Sequence, residues 1–303
     1  MSGAAMFGAH IGLQDATPQQ VVELAVAAEE SGFGWVSVWD HFYSSAPADG
    51  GSLDGVSMHA LVAAATRRVR CGSLVYSASY RHPAVIAKAA ATIDQISGGR
   101  AEVGVGAGFS VREHGAYGIT LLPPGQRMDL LDEAVRCVRS LLHTPRSSIE
   151  GTYFTLTDAR CDPRPIQPHL PVWVGGIGER RTLRIVAELA DGWNAPFLSP
   201  EQFATKRAVL LRHCAEVGRD PGEIRCAANV GIGIGDAALA HHFATMGDTT
   251  HATVDAVVTG RGQLLVDQIG RWLEAGADQV NFTWRAPFDR GAMEAIAEAI
   301  SAW

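Results

Sequence analysis

Short apolar runs alternate with amphipathic helical stretches along the whole chain, and this alternation admits few folds. Residues 5–11 read as a first strand. Thr17-Pro18-Gln19-Gln20 then opens a helix: Thr17 caps it, Pro18 suits its first turn and Gln20 closes a capping box. Val21, Leu24, Ala25 and Ala28 form the apolar face, and Ser31-Gly32 ends the helix. The same unit recurs, with strands expected at residues 35–39, 69–76, 101–106, 172–175, 192–195, 227–234 and 279–283. Helices are expected at 57–66, 83–96, 127–142, 179–190, 200–217, 263–275 and 292–301.

Strands this apolar are buried on both faces, which requires a parallel sheet. Eight strand–helix units in a chain of 303 residues suit a closed (β/α)₈ barrel, an α/β fold. The rival, an open doubly wound sheet, carries G-x-G-x-x-G after its first strand; here Gly12-Leu13-Gln14-Asp15 stands in that place. One barrel domain over residues 1–303 is therefore expected. Residues 143–170 and 236–258 are long for simple connections, and read as insertions that build a site at the strand C-terminal ends.

Charge removes several functions. Residues 1–66 hold no Lys or Arg but seven acids, so the net charge of −7 arises wholly there. No basic stripe is available for nucleic-acid phosphates. The N-terminus lacks the positive start of a signal peptide, and no apolar run approaches membrane-spanning length; a soluble cytoplasmic protein is expected. The five cysteines are odd in number and lack C-x-x-C spacing, so buried apolar roles are expected of them.

In such a barrel the chemistry sits where strands end. Lys88 and Lys206 are the only lysines and both fall within helices, which argues against Schiff-base chemistry. His241, His242 and His251 do not form a convincing metal set, because adjacent histidines diverge on a helix. Asp40-His41 follows the second strand, where His41 can handle a proton with Asp40 orienting it. Glu113 and His114 are weaker candidates, since residues 110–114 read as an ordinary polar loop. Gly175-Gly176-Ile177-Gly178 leads into Glu179-Arg180-Arg181, a glycine turn before a helix that suits a phosphate.

Together these strings resemble a known family. They are Trp39-Asp40-His41-Phe42, Tyr80-Arg81-His82-Pro83, Ser97-Gly98-Gly99-Arg100 and the run from Gly104 to Phe109 with Glu113. Gly151-Thr152-Tyr153, Pro163, Pro165 and Gln167, the stretch from Pro171 to Gly178, and Ala190-Asp191-Gly192-Trp193-Asn194 follow in order. The set resembles the bacterial luciferase-like monooxygenase superfamily, in particular its actinobacterial branch using coenzyme F420, a deazaflavin. The resemblance spans nearly the whole chain and is weakest at about residues 235–258.

That resemblance implies a cofactor lying across the strand ends and a non-prolyl cis peptide between Leu74 and Val75, behind the deazaflavin ring. It implies cofactor contacts from Ala107, Gly108, Arg112, Gly175, Gly176, Ile177, Gly178 and Glu179, to which Arg180 and Arg181 are added from the helix-terminus reasoning. It places His41 near the ring's reactive carbon, and members are often homodimers. Sugar-oxidising members carry a Glu after the strand-four G-x-G and a Trp beyond the Asp-His pair; here Phe109 and Tyr43-Ser44-Ser45 stand there. With Phe42, Tyr43, Trp193, Phe197 and Trp284 as further walls, a small, rather apolar substrate is expected. The alternatives are an FMN-dependent monooxygenase of the same superfamily and a non-catalytic barrel that carries a flavin or deazaflavin.

Overall fold

A computed structural model of the chain describes residues 5–44, 50–235, 238–244 and 253–303. Ser45, His251 and parts of the stretch 236–258 lie outside the described residues. The elements run β1 (Met6–Ile11), α1 (Pro18–Glu30), β2 (Trp35–Val38), α2 (Gly55–Ala65), β3 (Arg70–Ser73), β4 (Tyr76–Ser77), α3 (Pro83–Ser97) and β5 (Ala101–Gly106). They continue with α4 (Val111–Tyr117), α5 (Pro124–His143), β6 (Ser147–Glu150), β7 (Thr155–Ala159), β8 (Val172–Gly175), α6 (Thr182–Leu189), β9 (Gly192–Pro196) and α7 (Pro200–Val217). The last are β10 (Arg225–Ile232), α8 (Ala238–Ala244), β11 (Val257–Val258), α9 (Gln263–Glu274), β12 (Gln279–Trp284) and α10 (Arg290–Ile300).

The parallel strands close on themselves in the order β1, β2, β3, β5, β8, β9, β10, β12, with β12 pairing back onto β1. The third staff of this (β/α)₈ barrel is in two pieces, because the Leu74–Val75 peptide is cis, as the family resemblance implies. β3 and β4 flank it, and both pair with β5. Helix α1 starts with the expected capping box of Thr17 and Gln20 and buries Val21, Leu24, Ala25 and Ala28. Ser199 and Gln202 cap α7 in the same way.

The lower end of the barrel is filled by Trp35 of β2 and Trp173 of β8, whose rings meet at 5.4 Å from strands three places apart. Gly72 and Gly192 make this possible: a Cβ at either would lie 2.4 Å or 2.2 Å from the indole beside it. Glu102, buried next to them, accepts from Trp173 Nε1 and pairs with Arg70 and Arg225. A polar ladder climbs the lumen beside them, with Gln279 at the start of β12 donating to Asn281 and Asn281 to Asn229, which lines the upper cavity.

The stretch 143–170 corrects an expectation. It forms the β6–β7 hairpin between the end of α5 and the start of β8, so it belongs to the N-terminal side of the barrel and builds none of the cavity described below. All five cysteines are buried. Among the described residues no helix is long and apolar enough to cross a membrane.

Candidate active site

A cavity of about 600 Å³ opens at the C-terminal ends of the strands. That volume lies within the range of small-molecule sites. His41 enters it from the turn after β2, its ring held edge-on between Trp39 and Phe109 at centroid distances of 6.1 and 5.6 Å.

The partner of His41 is Glu113, not Asp40. His41 Nδ1 lies 3.1 and 3.2 Å from the two carboxylate oxygens of Glu113. The same carboxylate accepts from Phe42 N at 2.7 Å, Tyr43 N at 3.2 Å and the Tyr80 hydroxyl at 2.5 Å. Burial alone would raise the pKa of Glu113; the donors from His41, Tyr80 and Phe42 outweigh it and lower the value to about 2. An ionised carboxylate only accepts, so Nδ1 of His41 carries a proton, and Nε2 is the ring nitrogen that Glu113 does not engage.

Asp40 also lines the cavity, but its carboxylate is held by other partners. Its Oδ2 accepts from Arg81 Nη1 at 2.5 Å and from Ser77 N at 3.0 Å. Arg81 also reaches Asp54, the N-cap of α2, at 2.6 Å. Asp40 therefore ties β2 to β4 and α2. Residues 110–114 are likewise not a polar loop: Ser110 caps the helix α4, whose first turn delivers Glu113.

His114, also on α4, orders a hydroxyl chain. Its Nδ1 lies 2.7 Å from Ser110 O and must donate there; in the tautomer whose one proton is on Nδ1, Nε2 accepts from Ser79 Oγ at 2.7 Å. Ser77 Oγ, 2.8 Å from Ser79 Oγ, then donates to it and keeps its lone pairs for the cavity that it lines.

The glycine-rich wall is split. Leu74, Val75, Ala107, Gly108, Arg112, Gly175, Gly176 and Ile177 all line the cavity. Gly176 sits at φ 130°, a conformation suited to glycine, with its N–H on Asn194 O and its carbonyl receiving Trp193 Nε1. Arg112 lies over the Tyr43 ring at 4.8 Å and reaches Ser44 O at 3.4 Å. Gly178, Glu179, Arg180 and Arg181 do not reach the cavity. The chain turns outward after Ile177, and helix α6 begins at Thr182, three residues later than expected. Glu179 is spent on Lys206 at 2.8 Å and Arg181 on Asp129, while Arg180 is exposed. Thr182 takes the place at the helix start that was assigned to the arginines.

Of the expected aromatic walls, Tyr43, Phe109 and Phe197 line the cavity. Phe42 stacks outside it on Tyr80, and Trp193 stacks on Phe203. His241 Nε2 donates to Ala286 O, and His242 is buried against Phe197, so the two do not face a common ion.

Sequence reasoning missed two further groups. His10, buried in β1, contacts Ser37 Oγ at 2.9 Å, and burial followed by the charges of Arg285 and His41 lowers its pKa to about 3. Arg285, directly after β12, lies over Trp39 at 4.8 Å and lines the same cavity. Its position was available, since it is the charged residue that ends the eighth apolar strand.

With this geometry in view, the family model described as luciferase-like monooxygenase matches residues 3–303. The chain belongs to the luciferase-like monooxygenase family. Among its relatives, the F420-dependent glucose-6-phosphate dehydrogenase of Kineococcus radiotolerans is 36% identical over 177 residues, covering 58% of this chain and 52% of the relative. The chain thus aligns with about half the length of that curated relative. In structure the luciferase-like chain is similar to an F420-dependent secondary alcohol dehydrogenase in complex with an F420-acetone adduct (TM-score 0.87, 22% identity, 99% of each chain). It is also similar to the coenzyme F420 dependent tetrahydromethanopterin reductase of Methanopyrus kandleri (TM-score 0.81, 21% identity, 99% of each chain). At that identity these two likenesses establish the shared barrel.

Proposed function

We propose that this luciferase-like protein is an F420-dependent oxidoreductase acting on a small organic alcohol or carbonyl compound. The observation that carries this reading is the His41–Glu113 pair facing a wall built from backbone at Gly106, Gly108, Gly175 and Gly176. Gly106 and Gly175 make room for the Val75 side chain and Gly108 for Ser77 and Ser79, so that a flat cofactor can lie against Val75, and Thr182 at the start of α6 suits its phosphate. Leu74, Val75, Ala107, Arg112 and Ile177 would complete its contacts. When bound, F420 supplies a carbon that takes up or gives a hydride. The chain's own part is to hold the substrate and move the proton: His41 Nε2 takes it from an alcohol or returns it to a carbonyl oxygen, and ionised Glu113 steadies the ring in both states. Phe109, exposed at the mouth, and Phe197 favour a substrate with an apolar body.

The F420 relatives support this reading over FMN. Parallel titrations with F420 and FMN test it, followed by turnover on a panel of small alcohols and ketones. Tight binding of FMN with none of F420 would overturn it in favour of a monooxygenase, and cofactor binding without turnover in favour of a carrier. We further propose one working domain over residues 1–303, a cytoplasmic location and a homodimer. Outward-facing Leu61 on α2 with Val85 and Ile96 on α3 supports the pairing, and sedimentation would test it.

A further inference from the structure

We propose that His10 is a specificity-determining residue, a neutral imidazole on the cavity floor whose Nε2–H donates to an acceptor oxygen of the substrate. His10 stands inside β1, level with Ser37 of β2 on one side and Thr283 of β12 on the other, whereas His41 follows the end of β2. Its ring is only 3% exposed and lines the cavity. His10 therefore belongs to the floor and His41 to the rim. Around the eight staves β1 stands opposite β8, whose following turn brings Gly176 and Ile177 to the cavity. A cofactor against that turn and Val75 leaves the His10 side to the substrate.

The tautomer follows from Ser37. Its Oγ lies 2.9 Å from His10 Nδ1, and among the described residues it has no other hydrogen-bond partner. Ser37 is 1% exposed. Were its hydroxyl to accept from Nδ1, its own hydrogen would be buried without an acceptor; donating to Nδ1 avoids that cost. Nδ1 is then the bare nitrogen, and the single proton of the neutral ring sits on Nε2. Trp39 packs edge-on against the ring at 5.5 Å. Nε2 has no protein partner among the described residues, yet it is not sealed in, unlike Oγ1 of Thr283 on the neighbouring strand. It opens to the cavity.

The two histidines divide the work. His41 leans on an ionised carboxylate, which supports an added proton. His10 has no such support: burial, then the charges of Arg285 and His41, lower its pKa to about 3. A neutral imidazole donates a hydrogen bond without giving up its proton, so His10 holds an oxygen and leaves proton transfer to His41. A ligand that presents only carbon there leaves Nε2–H unpaired and is penalised.

Giving this donor to the substrate rests on the oxidoreductase reading; the donor itself does not. Long-range nitrogen–proton NMR spectra of histidine-labelled protein read the tautomer, the His10 signals being those lost in His10→Phe or His10→Gln. Wild type should carry its His10 proton on Nε2 alone at neutral pH. Cyclohexanone should shift that Nε2–H signal, and its apolar isostere methylenecyclohexane should not. In calorimetric titrations with and without F420, His10→Phe should bind cyclohexanone about tenfold more weakly and methylenecyclohexane as tightly as wild type does. His10→Gln, which keeps an N–H donor, should recover part of the loss. A proton on Nδ1 in wild type overturns the assignment whether or not either variant folds. So does an unchanged cyclohexanone affinity in folded His10→Phe, or an equal weakening for both probes. F420 affinity reduced about tenfold or more in that variant would give the donor to the cofactor and end the substrate assignment. Failure of F420 to bind wild type, with cyclohexanone still shifting the His10 signal, would sink the oxidoreductase reading and leave the donor standing.

Discussion

Replacing Glu113 with Gln keeps the shape of the side chain and removes the charge on which four donors converge. The cost follows from linkage. Glu113 falls from an ordinary value of 4.5 to about 2 on folding, a shift worth about 3 kcal/mol at neutral pH. Because the folded value is the lower one, this stability is complete above the unfolded pKa and fades as pH falls toward 2. At pH 3 about half of it should remain. Thermal unfolding followed by circular dichroism from pH 7 to pH 3 should therefore show Glu113→Gln melting several degrees below wild type at pH 7, with the gap narrowing by about half at pH 3. Turnover should fall as well, since a neutral Gln amide can accept from Nδ1–H of His41 but no longer offsets the charge of the ring when it takes up a proton. A variant as stable as wild type at pH 7, or a gap that does not change with pH, would show that the carboxylate's charge is not what gathers this corner.

His41→Ala should lower the melting temperature at pH 7, because buried Glu113 loses its leading donor, and should keep cofactor affinity while lowering turnover by roughly 10²–10⁴-fold, read by steady-state kinetics. Thr182→Val should weaken F420 binding about tenfold in a fluorescence titration, whereas Arg180→Ala with Arg181→Ala should leave it unchanged, because neither arginine reaches the cavity. Gly176→Val is a poor probe here: at φ 130° it strains the backbone whatever binds. Glu102→Ala should strand Arg70 and Arg225 at the lower end of the barrel and cost about 3–5 kcal/mol, on the order of 10 °C in melting temperature, with F420 affinity intact.

The barrel was legible because its signal is repeated: each strand is apolar on both faces and each helix has a capped start, as at Thr17 and Ser199. His41 was legible because strand-end position is itself a chemical signal in this fold. Its carboxylate was not, because Asp40 is adjacent in sequence and Glu113 is brought from 72 residues away by a short helix. That helix, α4, buries Glu113 and His114 rather than apolar residues, so hydrophobic periodicity could not detect it. The two arginines after Gly178 were misplaced by three residues of outward turn, a length that composition does not encode. The cis bond at Leu74–Val75 came from family resemblance alone.

Trp35 and Trp173 share their layer with Gly72 and Gly192 in a fixed exchange of volume. Enlarging either glycine collides with an indole, and trimming either indole opens a void beneath the floor of the cavity. Single steps in both directions are penalised, and only paired swaps across neighbouring strands keep the sum constant. Laboratory evolution of this scaffold should therefore accumulate changes at the rim, where loops end in open space, and leave its base frozen. A barrel sealed at one end in this way can trade substrates at the other without renegotiating how it folds.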